Sequence, residues 1–232
     1  MIKLMKLELQ RVNLRTYLIA DLILSCFILL FTYFVANVAQ IENEAEFMNY
    51  GNIYQFSCVI GLLLFGTLSA VMSNNLVIKE YSGKRLALLF SYPVSRRKIF
   101  MGKVWIILLF SFLSTLFCTS IPIAIFSVTE TVLPIVSDTI SADLLTETIQ
   151  MIIFSALSVS AAGLLAMGMG FIRKSITVTL ISVIVFLCIY GNIVIGTSGH
   201  IPTMLSVVGV SLIVVVVVLI LLSNKINQME AK

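Results

Sequence analysis

Charge is scarce in this chain: 11% of its 232 residues are Asp, Glu, Lys or Arg, against about 25% in an ordinary soluble domain. Histidine occurs once, at His200. With no HExxH pattern and no acidic or cysteine neighbours, it builds no metal site. No phosphate-cradling loop is present either. Gly102-Lys103 is followed by Val104, and Arg97 stands where the first glycine of such a loop belongs, so the chain does not bind ATP by that route. The four cysteines, Cys26, Cys58, Cys118 and Cys188, each fall inside an apolar run. That placement argues for buried packing and against a disulfide framework. The serines of those runs have no histidine or lysine base beside them, so an intramembrane serine protease is unsupported.

What the chain has in excess is hydrocarbon. Its residues are 59% hydrophobic and its mean hydropathy is +1.10. A soluble fold of this length could not hide that much apolar surface, so lipid is the implied solvent. In lipid the backbone must satisfy itself, and long unbroken runs select helices over a barrel. Six runs are long enough to cross a bilayer: Tyr17 to Ala39, Ile53 to Val77, Val104 to Val128, Ile149 to Ile172, Ile176 to Ile195 and Thr203 to Leu222. Pro122 is expected to end or kink the third. The first exceeds a signal-peptide core of about 7–15 residues and is read as retained.

The distribution of charge orients the runs. Lys3, Lys6, Arg11 and Arg15 precede the first. Lys79, Lys84, Arg85, Arg96, Arg97, Lys98 and Lys103 lie between the second and third, Arg173 and Lys174 between the fourth and fifth, and Lys225 and Lys232 in the tail. Together these are all 15 Lys and Arg. The alternate loops hold none, but carry Glu42, Glu44, Glu46, Glu130, Asp138, Asp143 and Glu147. Basic residues stay cytoplasmic, so both termini are expected inside. The net charge of +4 follows this sorting and does not imply nucleic acid.

Residues 1–16 repeat Ile2, Met5, Leu9 and Val12 at helical spacing. They read as an interfacial amphipathic helix or as a plain basic leader, ahead of a six-helix transmembrane domain over 17–232. Between the second and third runs, Lys79 to Lys103 reads KEYSGKRLALLFSYPVSRRKIFMGK. Ser82-Gly83 breaks a helix, Lys84 to Phe90 starts a short one, Pro93 stops it, and Ser95 caps the next. Trp105 then falls at the membrane interface. Basic residues alone would anchor the loop to anionic lipid at about 1 kcal/mol each; the apolar interruption Leu86 to Phe90 suits docking to a partner. Glu130 to Glu147 reads as a solvated loop or a short helix leading into the fourth run. The fourth run carries Ser155, Ser158, Ser160, Ala161, Ala162, Gly163, Ala166, Gly168 and Gly170, read as a small-residue surface for helix packing, with a substrate-facing surface as the alternative. Asp21 is the one ionisable residue inside a run. An intramembrane carboxylate is a functional candidate, although this one lies about a turn from the expected inner end, within reach of water.

The loop carries a resemblance. Glu80, Ser82-Gly83, the apolar Leu86 to Phe90, Tyr92-Pro93-Val94-Ser95-Arg96 and Gly102-Lys103 resemble the first cytoplasmic loop of type-2 ABC transporter permeases. The six-span layout resembles theirs as well. The resemblance implies a multi-pass subunit of a bacterial plasma membrane that holds no cofactor of its own. It pairs with a second copy or a sister permease, and it is driven by cytosolic ATPase subunits that bind ATP and magnesium. The loop's short helix would be the coupling helix. Glu80, Lys84, Arg85 and Arg96 would make polar contacts with the ATPase, Leu88, Leu89 and Phe90 would pack, and Gly83, Pro93 and Ser95 would set the loop's shape. Small members of this kind resemble exporters of amphipathic antimicrobial peptides. Two other readings stay open: an ion-coupled carrier or channel that uses Asp21, and a scaffold or sensor that transports nothing.

Overall fold

The computed structural model describes residues 13–42, 48–80, 96–136, 138–196 and 201–228. Among them the chain is all-helical. It forms α1 (Leu14–Glu42), α2 (Tyr50–Ser73, extended by a widened π-helical turn Asn74–Ile78), α3 (Arg96–Val132), α4 (Ala142–Arg173), α5 (Ile176–Gly196) and α6 (Ile201–Gln228). Each expected apolar run lies inside one of these helices, and all six are long and apolar enough to span a membrane. The chain is an integral membrane protein of six helices. The start of α1, the α2–α3 and α4–α5 links and the end of α6 share one end of the bundle, called here the basic end; the opposite end is acidic.

The outward faces of α1, α5 and α6 are studded with exposed Leu, Ile, Val and Phe. In water these would be a liability; against hydrocarbon they are the solvated surface. α4 sits at the centre, touching α2, α3, α5 and α6, and 89% of its most apolar stretch is buried. Its small residues face those neighbours, as the sequence indicates. Gly170 is the tightest point. A Cβ there would lie 1.8 Å from Thr179 Oγ1 and 2.6 Å from Ile78 Cδ1, and the branched Thr179 has little rotameric freedom to retreat. Gly170→Ala should therefore cost about 1–3 kcal/mol by overpacking, read as a lowered melting temperature in detergent. Gly209→Ala, with nothing within 4 Å, should be tolerated.

Three details of the helices have physical causes. α3 runs unbroken across Pro122. Ile123 and Phe126 are buried there with Ala36, Tyr54 and Met151, and that packing holds the helix despite the lost donor. α4 starts at Ala142, seven residues before the apolar run at Ile149. Ser141 caps it by accepting the Leu144 N–H at 3.2 Å, and Asp143 lies in the first turn, so the second half of the expected loop is helix. The α4–α5 link is a two-residue turn made by Lys174 at φ 50, closed by Ser175 N to Gly170 O at 3.1 Å.

Candidate functional site at the basic end

The link between α2 and α3 begins and ends on a buried ion pair. Lys103, seven residues into α3, is wholly inaccessible. Its ammonium donates to Glu80 Oε2 and to Leu76 O at 3.2 Å. An unpaired ammonium at this depth would be prohibitive; two oxygen partners from the end of α2 offset that cost. The widened turn makes the arrangement possible. Lys79 N reaches back five residues to Asn74 O at 3.0 Å, and Glu80 N reaches back three to Val77 O at 3.2 Å. A regular helix would use four in both places. The turn so displaced brings Leu76 O and Glu80 to Lys103.

A second strand of contacts ties in α1. Asn75 Nδ2 donates to Tyr17 OH at 2.8 Å, and Lys79 Nζ donates to Asn75 Oδ1 at 2.7 Å. The Tyr17 ring meets Phe110 edge-on at 6.0 Å. Beneath them Phe100 and Phe171 pack at 5.9 Å, within a cluster that joins Met72, Val77, Val104, Leu164 and Leu222. Both ends of the link are thus seated on a dense floor contributed by α1, α2, α3, α4 and α6.

Of the residues assigned to the link by sequence, Glu80 is seen, and it points inward to Lys103. Arg96 is the first described residue of α3. Gly83, Lys84, Arg85, Leu88, Leu89, Phe90, Pro93 and Ser95 lie outside the described residues, as does the interfacial segment before Asn13. Arg97 and Lys98 are exposed on the first turn of α3. The Glu80–Lys103 partnership was not anticipated. Its signal was the pairing of an acid before the link with a lysine just inside the following span.

Asp21 is not where the sequence places it. It lies roughly two turns inside α1, with 3% of its surface exposed, and Ser114 Oγ of α3 donates to its Oδ1. Water does not reach it as the short distance to the helix end suggests. Glu130 is another surprise. It belongs to α3 rather than to a solvated loop, is 3% exposed, and accepts Tyr50 OH at 2.8 Å, Ile135 N at 2.9 Å and Val136 N at 3.3 Å. No group of three or more His, Cys, Asp or Glu that could hold a metal occurs among the described residues.

Six apolar helices packed about a small-residue surface, with an ion-paired link at the basic end, define a multi-pass membrane protein. The chain matches the family described as "ABC-2 family transporter protein" over residues 4–188, and it belongs to that family. It is 22% identical over 190 residues to an uncharacterized protein of Bacillus subtilis (strain 168), YcbO. That match covers 82% of this chain and 83% of the relative. No solved structure matches significantly.

Proposed function

We propose that this ABC-2 family permease is the transmembrane half of an ATP-driven exporter, powered by a separate cytosolic ATPase that seats on the 81–95 link. The sorting of all 15 basic residues to one end supports a cytoplasmic position for that end. The observation that carries the reading is the Glu80–Lys103 pair. It locks together the two helix ends that bracket the link, so a push on the link moves α2 and α3 as one body. A flexible tether would absorb the push. The chain pairs with a second copy or a sister permease, ATP and magnesium belong to the ATPase, and the cargo is an amphipathic peptide or hydrophobic compound.

Affinity purification from native membranes tests this directly. An ABC ATPase should come down with the chain and hydrolyse ATP. Phe90→Ala combined with Leu89→Ala should reduce its recovery by roughly tenfold, the loss expected when one packed apolar contact of about 1.4 kcal/mol goes, while leaving the permease in the membrane. Recovery of the chain with no ATPase would remove the reading.

A further inference from the structure

α1 buries an unusual stripe. Tyr17, Asp21, Ser25 and Thr32 face inward, while Leu18, Leu22 and Phe27 face out. Where this stripe meets α3 the two helices leave a groove of about 470 Å³, with Asp21 and Ser114 at its floor and Leu18, Leu22, Leu113 and Phe117 among its walls. That size falls within the range of small-molecule sites, about 300–1,000 Å³. The wall residues Leu22 and Phe117 are 65% and 55% exposed, so the groove opens sideways, toward the space that lipid occupies.

The groove's chemistry is lopsided. Every lining residue apart from Asp21, Ser114 and Cys118 is Leu or Phe, and none is Lys, Arg or His. Lys103, about three turns from Ser114 along α3, is engaged with Glu80. A carboxylate in such surroundings needs a proton or a cation to be tolerated. A lipid tail would fill the walls and leave the floor uncompensated. An apolar chain ending in an ammonium satisfies both.

We propose that the α1–α3 groove is a lateral binding site for amphipathic organic cations. The ammonium pairs with Asp21, Ser114 holds the carboxylate in place, and the apolar body lies along Leu22, Leu113 and Phe117. The site belongs to the permease alone and does not depend on an ATPase.

The permease by itself, reconstituted in phosphatidylcholine nanodiscs, is photolabelled with a long-chain alkylamine carrying a diazirine on its chain, or with the matching alkanol, and the adducts are mapped by mass spectrometry. The amine should label the α3 segment 113–118 about tenfold more than the alkanol, the factor a single desolvated ion pair of about 1.4 kcal/mol gives. Asp21→Asn should bring the amine down to the alkanol level. Leu113→Trp, which leaves the carboxylate and fills the groove, should lose the label from both probes while the protein stays monodisperse. Equal labelling by amine and alkanol, or undiminished labelling of Asp21→Asn, overturns the proposal in favour of a lipid-filled groove. Because no ATPase is present, either outcome is independent of the export reading.

Discussion

Lys103→Met is expected to lower stability by about 3–5 kcal/mol, because removing one partner of a buried pair leaves the other charge without its counter-ion. Lys103 is fully buried and Glu80 is 8% exposed, so water cannot screen the loss. For a chain of this length the melting temperature in detergent should fall by roughly 10 °C. The double variant Lys103→Met, Glu80→Leu removes both charges and should recover most of that loss, since apolar replacement of a whole buried pair is often neutral. The two variants separate stability from transmission. If the pair serves to couple the link to α2 and α3, the double variant should be as stable as the parent yet recover transport poorly. A single variant that melts like the parent would show that the pair contributes nothing to the fold.

At the acidic end, Glu130→Ala should be nearly as damaging. One carboxylate oxygen gathers Tyr50 OH, Ile135 N and Val136 N, closing the 133–141 connection over the top of α2 and α3. Truncation leaves those donors without an acceptor in a place where water is scarce, at about 1–3 kcal/mol for each stranded group. A net loss of about 3 kcal/mol or more is expected, with new protease cleavage in 133–141. Glu130→Gln should be mild. Its amide oxygen keeps the three bonds, and its NH₂ occupies the place of Oε1, which has no partner among the described residues. If Ala and Gln variants prove equally stable, the carboxylate does not organise this end.

The membrane character, the six spans and the packing role of α4 were legible because each is written in contiguous sequence. A run of about 20 apolar residues, or small residues grouped within one run, needs no knowledge of neighbours. The start of α4 had a local signal too, Ser141 followed by Asp143, but the apolar run beginning at Ile149 outweighed it. What could not be read were the polar contacts across long separations. Asp21 meets Ser114, 93 residues away, and Glu80 meets Lys103 across the α2–α3 link, only because of how the helices pack in the bundle. In each case one partner looked ordinary, a serine among leucines or a lysine in a basic loop. Pro122 does not end α3, because the burial of Ile123 and Phe126 against neighbouring helices outweighs the ring's cost to an isolated helix.

The enclosure of α4 has a bearing on biogenesis. A nascent chain released after Arg173 would leave the core helix with its α5 and α6 flanks bare, turning serines and glycines that were meant for protein neighbours toward acyl chains that offer them nothing. Such a fragment has the hydropathy to stay in the bilayer but not the partners to settle there. Surveillance proteases that sense unsettled spans would have a clear target in it. The last quarter of the polypeptide, α5 and α6, thus completes the surroundings of a helix already made.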